Sequence, residues 1–309
     1  MVLGLATGRP DYRYRENYTL RGHIVASAQG IPTMRSVSPF RYPGGKAFLY
    51  KYLLGRIASL PEGKRFYAEP FCGGAGAAVI LLKLDAVGEI HLNDADPKVF
   101  AAWQAILNEP DRFAEEVMKT PVDISTWYAC RDLVNGATDP SFELGFATFF
   151  LNRTSRSGIV IGAGPIGGYD QRGNWKIDAR FNREALAERV LWLGSMRERI
   201  QITHEDALTF LSRSTVRLDI DRTLFFVDPP YVTAGGRLYL NAMNEGKHIA
   251  LSDMLQDGKL PHWVLTYDDH PLIRGLYDKQ VITDLAVTYS LQNKRKEREV
   301  LINDQAALA

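Results

Sequence analysis

The sequence predicts an α/β fold: a mostly parallel sheet whose chain is interrupted by an insertion. Three observations carry that reading. A strand, a Gly-rich turn and a helix in RFYAEPFCGGAGAAVILLKL (65–84) are followed by a strand, an acidic turn and a helix in EIHLNDADPKVFAAWQAI (89–106), the βαβα alternation of a parallel sheet. LFFVDPPYV (224–232) opens as a buried strand of continuous apolar residues. Between these parts the alternation lapses, over about residues 110–195.

In chain order, residues 1–35 read as a polar extension, and 36–109 with 196–309 as one catalytic unit split by the insertion at 110–195. SPFRYPGGKAFLYKYLLGRI (38–57) is a Pro/Gly loop entering a helix that turns Leu49, Tyr52, Leu53 and Ile57 inward. Within the insertion, FELGFATFFLNRTSRSGI (142–159) predicts a largely buried helix ending in a polar loop. IGAGPIGGYDQRGNWKIDARFN (161–182) predicts an irregular, basic loop outside the core, and a helix follows at about 183–196. ERIQITHEDALTFL (198–211) predicts a strand and a helix start, PHWVLTYDDHPLIRGLY (261–277) a strand and a helix, and 281–303 a terminal hairpin.

Composition excludes several classes. The chain has 46% hydrophobic and 24% charged residues, an ordinary soluble balance. Its longest aliphatic run, Ala77 to Leu82, is far too short to span a bilayer. The N-terminal stretch lacks the apolar core of a secretory signal, so a cytoplasmic protein is expected. Two cysteines, Cys72 and Cys130, form neither a disulfide framework nor a zinc cluster, and no metal is expected. The net charge is only +1, but basic residues cluster: no acid occurs from Tyr18 to Pro61, six Lys/Arg face two Asp from Asn152 to Arg183, and Lys294, Arg295, Lys296 and Arg298 lie near the end. Such segregation suits a polyanion more than the net charge implies.

Two turns suggest chemistry. EPFCGGAG lacks the third glycine of a dinucleotide fingerprint, since Val79 stands where it would fall, and it lacks a P-loop ending. Gly73, Gly74 and Gly76 still allow a ligand to approach the backbone, and Asp94 at the end of the next strand can accept from a ribose diol. That combination describes an adenosine-like cofactor without a pyrophosphate. In DPPY, Pro229 cannot continue an interior strand and holds Asp228 out of helical geometry. A carboxylate, a carbonyl and a ring are thereby fixed at a strand end, where open α/β sheets bind ligands.

The ordered set SPFRYPGGK (38–46), AEPFCGGAG (68–76), LNDAD (92–96), FFLNRTSRSG (149–158), FFVDPPY (225–231) and WVLTYDD (263–269) resembles the DPPY-type DNA N6-adenine methyltransferases, the D12 class related to the bacterial GATC adenine methyltransferases. The resemblance implies a Rossmann-like S-adenosylmethionine-dependent methyltransferase fold with an inserted target-recognition region. It implies S-adenosyl-L-methionine as cofactor and double-stranded DNA as partner, and it allows a restriction endonuclease in the same system. It implies that Tyr42, Gly44, Gly45 and Lys46 help enclose the cofactor, that Phe71, Gly73 and Gly74 form its backbone-approach loop, that Asp94 holds the ribose, and that Asp206 lies near the adenine. Asp228, Pro229, Pro230 and Tyr231 become the catalytic corner, acting on a base flipped from the duplex. Arg153, Arg156, Arg172, Lys176 and Arg180 become candidate DNA contacts. The insertion's glycine-rich stretch departs from GATC-type members, so no recognition sequence is carried over. Exocyclic cytosine N4 methylation, RNA adenine methylation and a non-catalytic DNA-binding role are the alternative readings. Covalent cytosine chemistry is disfavoured because the chain has no Pro-Cys turn.

Overall fold

The computed structural model describes residues 37–41, 44–232, 243–288 and 296–304. The 1–35 extension, Tyr42, Lys294 and Arg295 lie outside the described residues. Among the described residues seven strands form one sheet: β1 (Phe66–Glu69), β2 (Glu89–Asn93), β3 (Ile200–Thr203), β4 (Thr223–Val227), β5 (Trp263–Asp268), β6 (Val281–Thr288) and β7 (Lys296–Asn303). Their spatial order is β3-β2-β1-β4-β5-β7-β6. The pairings from β3 through β5 are parallel, and β7 runs antiparallel to both β5 and β6. The chain steps outward from β1 to β2 and β3, then returns to place β4 against the other edge of β1. That reversal opens a crevice beyond the C-terminal ends of β1 and β4. The α/β doubly wound fold is thus the one expected, and β4 stops at Val227, immediately before Asp228.

Local sequence accounts for the elements. β4 is buried along its whole length, as a central strand covered on both faces must be. Helix α1 (Tyr50–Ala58) buries Tyr50, Leu53 and Ile57 on one side. Helix α2 (Gly76–Lys83) buries every residue from Ala77 to Leu82 and is therefore apolar all round. Helix α3 (Pro97–Asn108) starts where Pro97 fixes the first helical φ and the Asp96 carboxylate accepts from Lys98 N.

The insertion contains α4 (Pro110–Lys119), α5 (Ile124–Gly136), α6 (Phe142–Thr154) and α7 (Arg183–Ser195). These helices share one continuous apolar core with α2, α3, β1 and β2. Phe113 meets Phe146 and Phe149 at centroid distances of 5.4 and 5.2 Å. At Gly145 α6 crosses α3 so closely that a Cβ would lie 2.4 Å from Ala101 O. An interruption in chain order is therefore not a gap in packing. One expectation is corrected within it: the 161–182 loop is not wholly outside the core, because Ile177 and Phe181 are each 5% exposed. Phe181 packs on Phe149 and Phe150, and that apolar contact outweighs the polarity of its neighbours. Beyond β3 lie α8 (Ala207–Arg217), α9 (Glu245–Gln256) and α10 (Pro271–Leu276). The terminal hairpin forms as expected, with β7 inserted between β5 and β6.

Candidate active site

The β1–α2 turn is held by the ends of its neighbouring strands. Cys72 N donates to Asn93 O at 2.9 Å, and Trp103 Nε1 donates to Gly73 O at 2.9 Å. Gly73 has φ +46° and Ala75 φ +44°; the left-handed pair turns the chain sharply into α2. The Asn93 side chain is completely buried and donates to Pro70 O and Glu205 O, so the C-terminal ends of β1, β2 and β3 are tied together. Asp94 accepts from Gly73 N and Asp96 N, both at 2.9 Å. Burial pushes its carboxyl up to about 6 despite these two donors. Ser38 Oγ donates to Gly74 O at 2.5 Å and brings the N-terminal segment over the turn.

At the end of β4, Asp228 Oδ1 accepts from Thr266 Oγ1 at 2.6 Å. The Lys46 ammonium lies 3.0 Å from Oδ1 and 3.1 Å from Oδ2 of the same carboxylate. Lys46 also donates to Tyr231 OH at 2.8 Å and to Gly44 O at 2.7 Å. Tyr231 OH in turn donates to Glu299 Oε1 at 2.6 Å, and Glu299 stands 3.7 Å from Lys46 Nζ. Val232 N donates to Asp268 Oδ1 at 3.1 Å, which pins the chain just beyond the corner. One ammonium thus sits between two carboxylates and a phenol, and its own side chain is only 3% exposed. Pro229 is buried and Pro230 half-buried.

A cavity of about 470 Å³ joins these two constructions, within the size range of small-molecule sites. Phe71, Gly74 and Asp94 line it at the turn, and Gly45, Lys46, Asp228 and Pro230 line it at the corner. Glu69 also faces it. Burial, with the nearby Asp228 charge adding to it, raises the Glu69 carboxyl to about 8, while Tyr67 OH donates to it at 2.9 Å. Glu69 therefore holds its proton more tightly than a solvated carboxyl does, beside the corner. The far wall comes from α6 and the following loop. Asn152 Nδ2 donates to Arg41 O at 2.7 Å and Gly158 O at 2.8 Å, and its Oδ1 accepts from Arg41 N at 2.7 Å.

The remaining expected site residues separate into groups. Arg153 is half-buried in the cavity wall, whereas Arg156, Arg172, Lys176 and Arg180 are exposed. Lys176 Nζ clamps its own loop by donating to Gln171 O at 2.7 Å and Gly173 O at 3.2 Å, and Trp175 beside it is 71% exposed. Asp206 does not line the cavity; its carboxylate caps α8 at Leu208 N and pairs with Lys247 at 2.9 Å. Sequence reasoning missed Thr266, Glu69, Arg41, Arg189 and Glu299 as contributors. Glu299 had no usable signal: within KRKEREV (294–300) it reads as one more surface charge, and only the interior position of β7 buries it. Among the described residues no cluster of His, Cys, Asp or Glu could hold a metal ion, and no helix is long and apolar enough to cross a membrane.

A model of the D12 class N6 adenine-specific DNA methyltransferase family matches residues 42–296. No curated protein sequence matches the chain. Two solved structures of the rRNA methyltransferase aviRa from Streptomyces viridochromogenes are similar to it. One shares 16% identity with a TM-score of 0.39, covering 89% of this chain and 92% of that one. The other shares 14% identity with a TM-score of 0.39, covering 85% and 86%.

Proposed function

The chain belongs to the D12 class of N6 adenine-specific DNA methyltransferases, and from that premise we propose that it methylates adenine N6 in double-stranded DNA at the Asp228 corner, with S-adenosyl-L-methionine as donor. The observation that carries this reading is the single cavity lined by both the Asp94 turn and Asp228. The turn fits the donor's nucleoside half: an acid at a strand end for a ribose, Phe71 for an apolar face, and glycine backbone open to close approach. When bound, S-adenosyl-L-methionine supplies a methyl group activated by a positively charged sulfur.

The chain's own residues do the rest. The amino group of adenine is a weak nucleophile because its lone pair is delocalised into the ring. Asp228 accepts one of its hydrogens and the Pro229 carbonyl the other, which favours a pyramidal nitrogen. An ionised carboxylate offers about four acceptor positions, and Thr266 and Lys46 leave room on Oδ2. As positive charge develops on the nitrogen, Asp228 stabilises it without reorganising, because Thr266 and Lys46 already hold it in place. It is also the nearest acceptor for the proton the methylated nitrogen sheds. The target base leaves the duplex to reach this corner, and Tyr231, tethered at its hydroxyl, gives it a ring of fixed orientation. Arg172, Lys176 and Trp175, exposed on one loop, are proposed to meet the DNA backbone.

The test is single-turnover transfer from labelled S-adenosyl-L-methionine to duplex DNA, with the product nucleosides separated. Label in N6-methyladenine is expected. Label in N4-methylcytosine or in RNA moves the substrate assignment, and absence of transfer by folded, cofactor-bound protein overturns it.

A further inference from the structure

Four arginines gather where the segment Ser38–Arg41 crosses the cavity wall: Arg41 itself, Arg153 and Arg189, with Arg180 next to Arg153. Arg153 Nη1 donates to Pro39 O at 3.4 Å, and Arg189 Nη1 donates to Ser38 O at 3.3 Å. Arg41 Nη1 reaches Arg153 O at 3.4 Å and Ser155 O at 3.2 Å, while Arg153 Nε donates to Arg180 O at 2.8 Å. Every one of these partners is a neutral carbonyl. Among the described residues, none of the four forms an ion pair with a carboxylate. Other arginines of the chain do: Arg56 with Asp304, Arg199 with Asp85, Arg213 with Glu205 and Arg274 with Asp269.

Carbonyl bonds satisfy donors but cancel no charge. Like charges gathered on a partly buried wall repel one another more strongly than they would in water. Burial first, and then the charges of Arg41, Arg189 and Arg180, lower the hold of Arg153 on its proton. Arg41 is shifted the same way by burial and by Arg180. A guanidinium carries five N–H donors, and among the described residues Arg189 spends one long contact, to Ser38 O. Arg41, Arg153 and Arg189 all line the cavity, so spare donors and uncompensated charge face the same space.

We infer that Arg41, Arg153 and Arg189 form a binding site for one oxyanion at the cavity wall, occupied by a ligand that enters with the reaction. Planar guanidinium forks match both carboxylate and phosphate oxygens. Two sources supply such a group: a phosphodiester next to the target adenine, or the carboxylate of the methionine half of the cofactor. The inference rests on the reading of this cavity as the methyl-transfer site. It gives a role to Arg41, which lies within SPFRYPGGK but was assigned none there, and to Arg189, which lies outside the quoted motifs.

The test compares wild type with Arg189→Gln, Arg41→Gln and Arg189→Lys. Arg189→Gln removes the charge and, with it, only the long 3.3 Å contact to Ser38 O, so the fold is spared. One arm measures affinity for S-adenosylhomocysteine against its decarboxylated form. A second measures affinity for an adenine-containing oligonucleotide against the same strand with one neutral methylphosphonate beside the adenine. A third measures the thermal shift produced by inorganic phosphate against chloride at equal ionic strength. Wild type is expected to prefer the charged ligand by roughly tenfold or more in the first or the second arm, and that arm names the source. Both Gln variants should lose the preference, and Arg189→Lys should keep part of it. Gln variants with wild-type selectivity in both arms overturn the site. A chain that binds neither cofactor nor DNA defeats the functional reading instead. The phosphate shift then decides alone: its loss in Arg189→Gln supports the site, and an unchanged shift overturns it.

Discussion

Asp228→Ala should abolish methyl transfer and also destabilise the protein measurably, because the carboxylate is half of a buried ion pair. Lys46 is 3% exposed at its side chain and Asp228 23%. Breaking a buried pair from one side costs ~3–5 kcal/mol, since the remaining charge is left uncompensated. Here Lys46 keeps Tyr231 OH, Gly44 O and the Glu299 carboxylate at 3.7 Å, so we expect the lower end. Thr266 also loses its acceptor at 2.6 Å. Together the loss should be about 3 kcal/mol. At ~2–4 °C per kcal/mol for domains somewhat smaller than this one, the melting temperature should fall by about 6–12 °C. Lys46→Met in the same background removes the stranded ammonium and should recover about 2 kcal/mol as coupling energy. Transfer should remain down by roughly a hundredfold or more in both proteins, because the lost stabilisation acts on charge developing in the transition state. Denaturant titration of the four proteins of the cycle measures the coupling, and single-turnover methylation measures the chemistry. Additive stability losses would refute the buried-pair argument. Substantial transfer by folded Asp228→Ala would refute the role of the carboxylate.

Glu299→Gln and Tyr231→Phe each cut the chain from Lys46 through Tyr231 to Glu299. Each should slow single-turnover transfer by about tenfold, one hydrogen bond's worth, with cofactor affinity unchanged by calorimetry; wild-type rates would make the chain structural only. Glu69, raised to about 8 by burial, binds its proton more tightly folded than unfolded. Its contribution is therefore fully present below about pH 4.5 and lost as pH rises through 8. Glu69→Gln removes that slope, so its stability relative to wild type should climb by a few kcal/mol between about pH 5 and 8; a constant difference across that window would show that Glu69 ionises normally. Gly158→Ala should destabilise by about 2–4 kcal/mol, because φ is +77° and a Cβ would lie 2.2 Å from Arg41 O. Gly162→Ala, with φ +83° and open space around it, should cost only the ~1 kcal/mol of backbone strain, and equal losses at the two positions would remove the steric argument.

The local features were legible because local physics sets them. LFFV reads as an interior strand, the two prolines end it at about Asp228, and Pro97 opens a helix, since each signal acts within a few residues along the chain. The ordered motifs likewise lie at turns of the chain, and residues of the Asp94 turn and of the Asp228 corner line one cavity in the fold. What the tertiary structure decided is which distant residues share a space. Lys46 meets Asp228 across 182 positions, a distance along the chain over which no periodicity carries information. Glu299 sits in a basic stretch that reads as surface, yet it is completely buried because β7 enters between β5 and β6. Asp206 stands at a helix start as its sequence suggests, but its carboxylate pairs with Lys247 and does not line the cavity, which follows from how α8 and α9 pack. The insertion looked separate because its alternation changed; Phe113, Phe149 and Phe181 joined it to the main core, because apolar burial depends on where side chains meet in space and not on where the chain was interrupted.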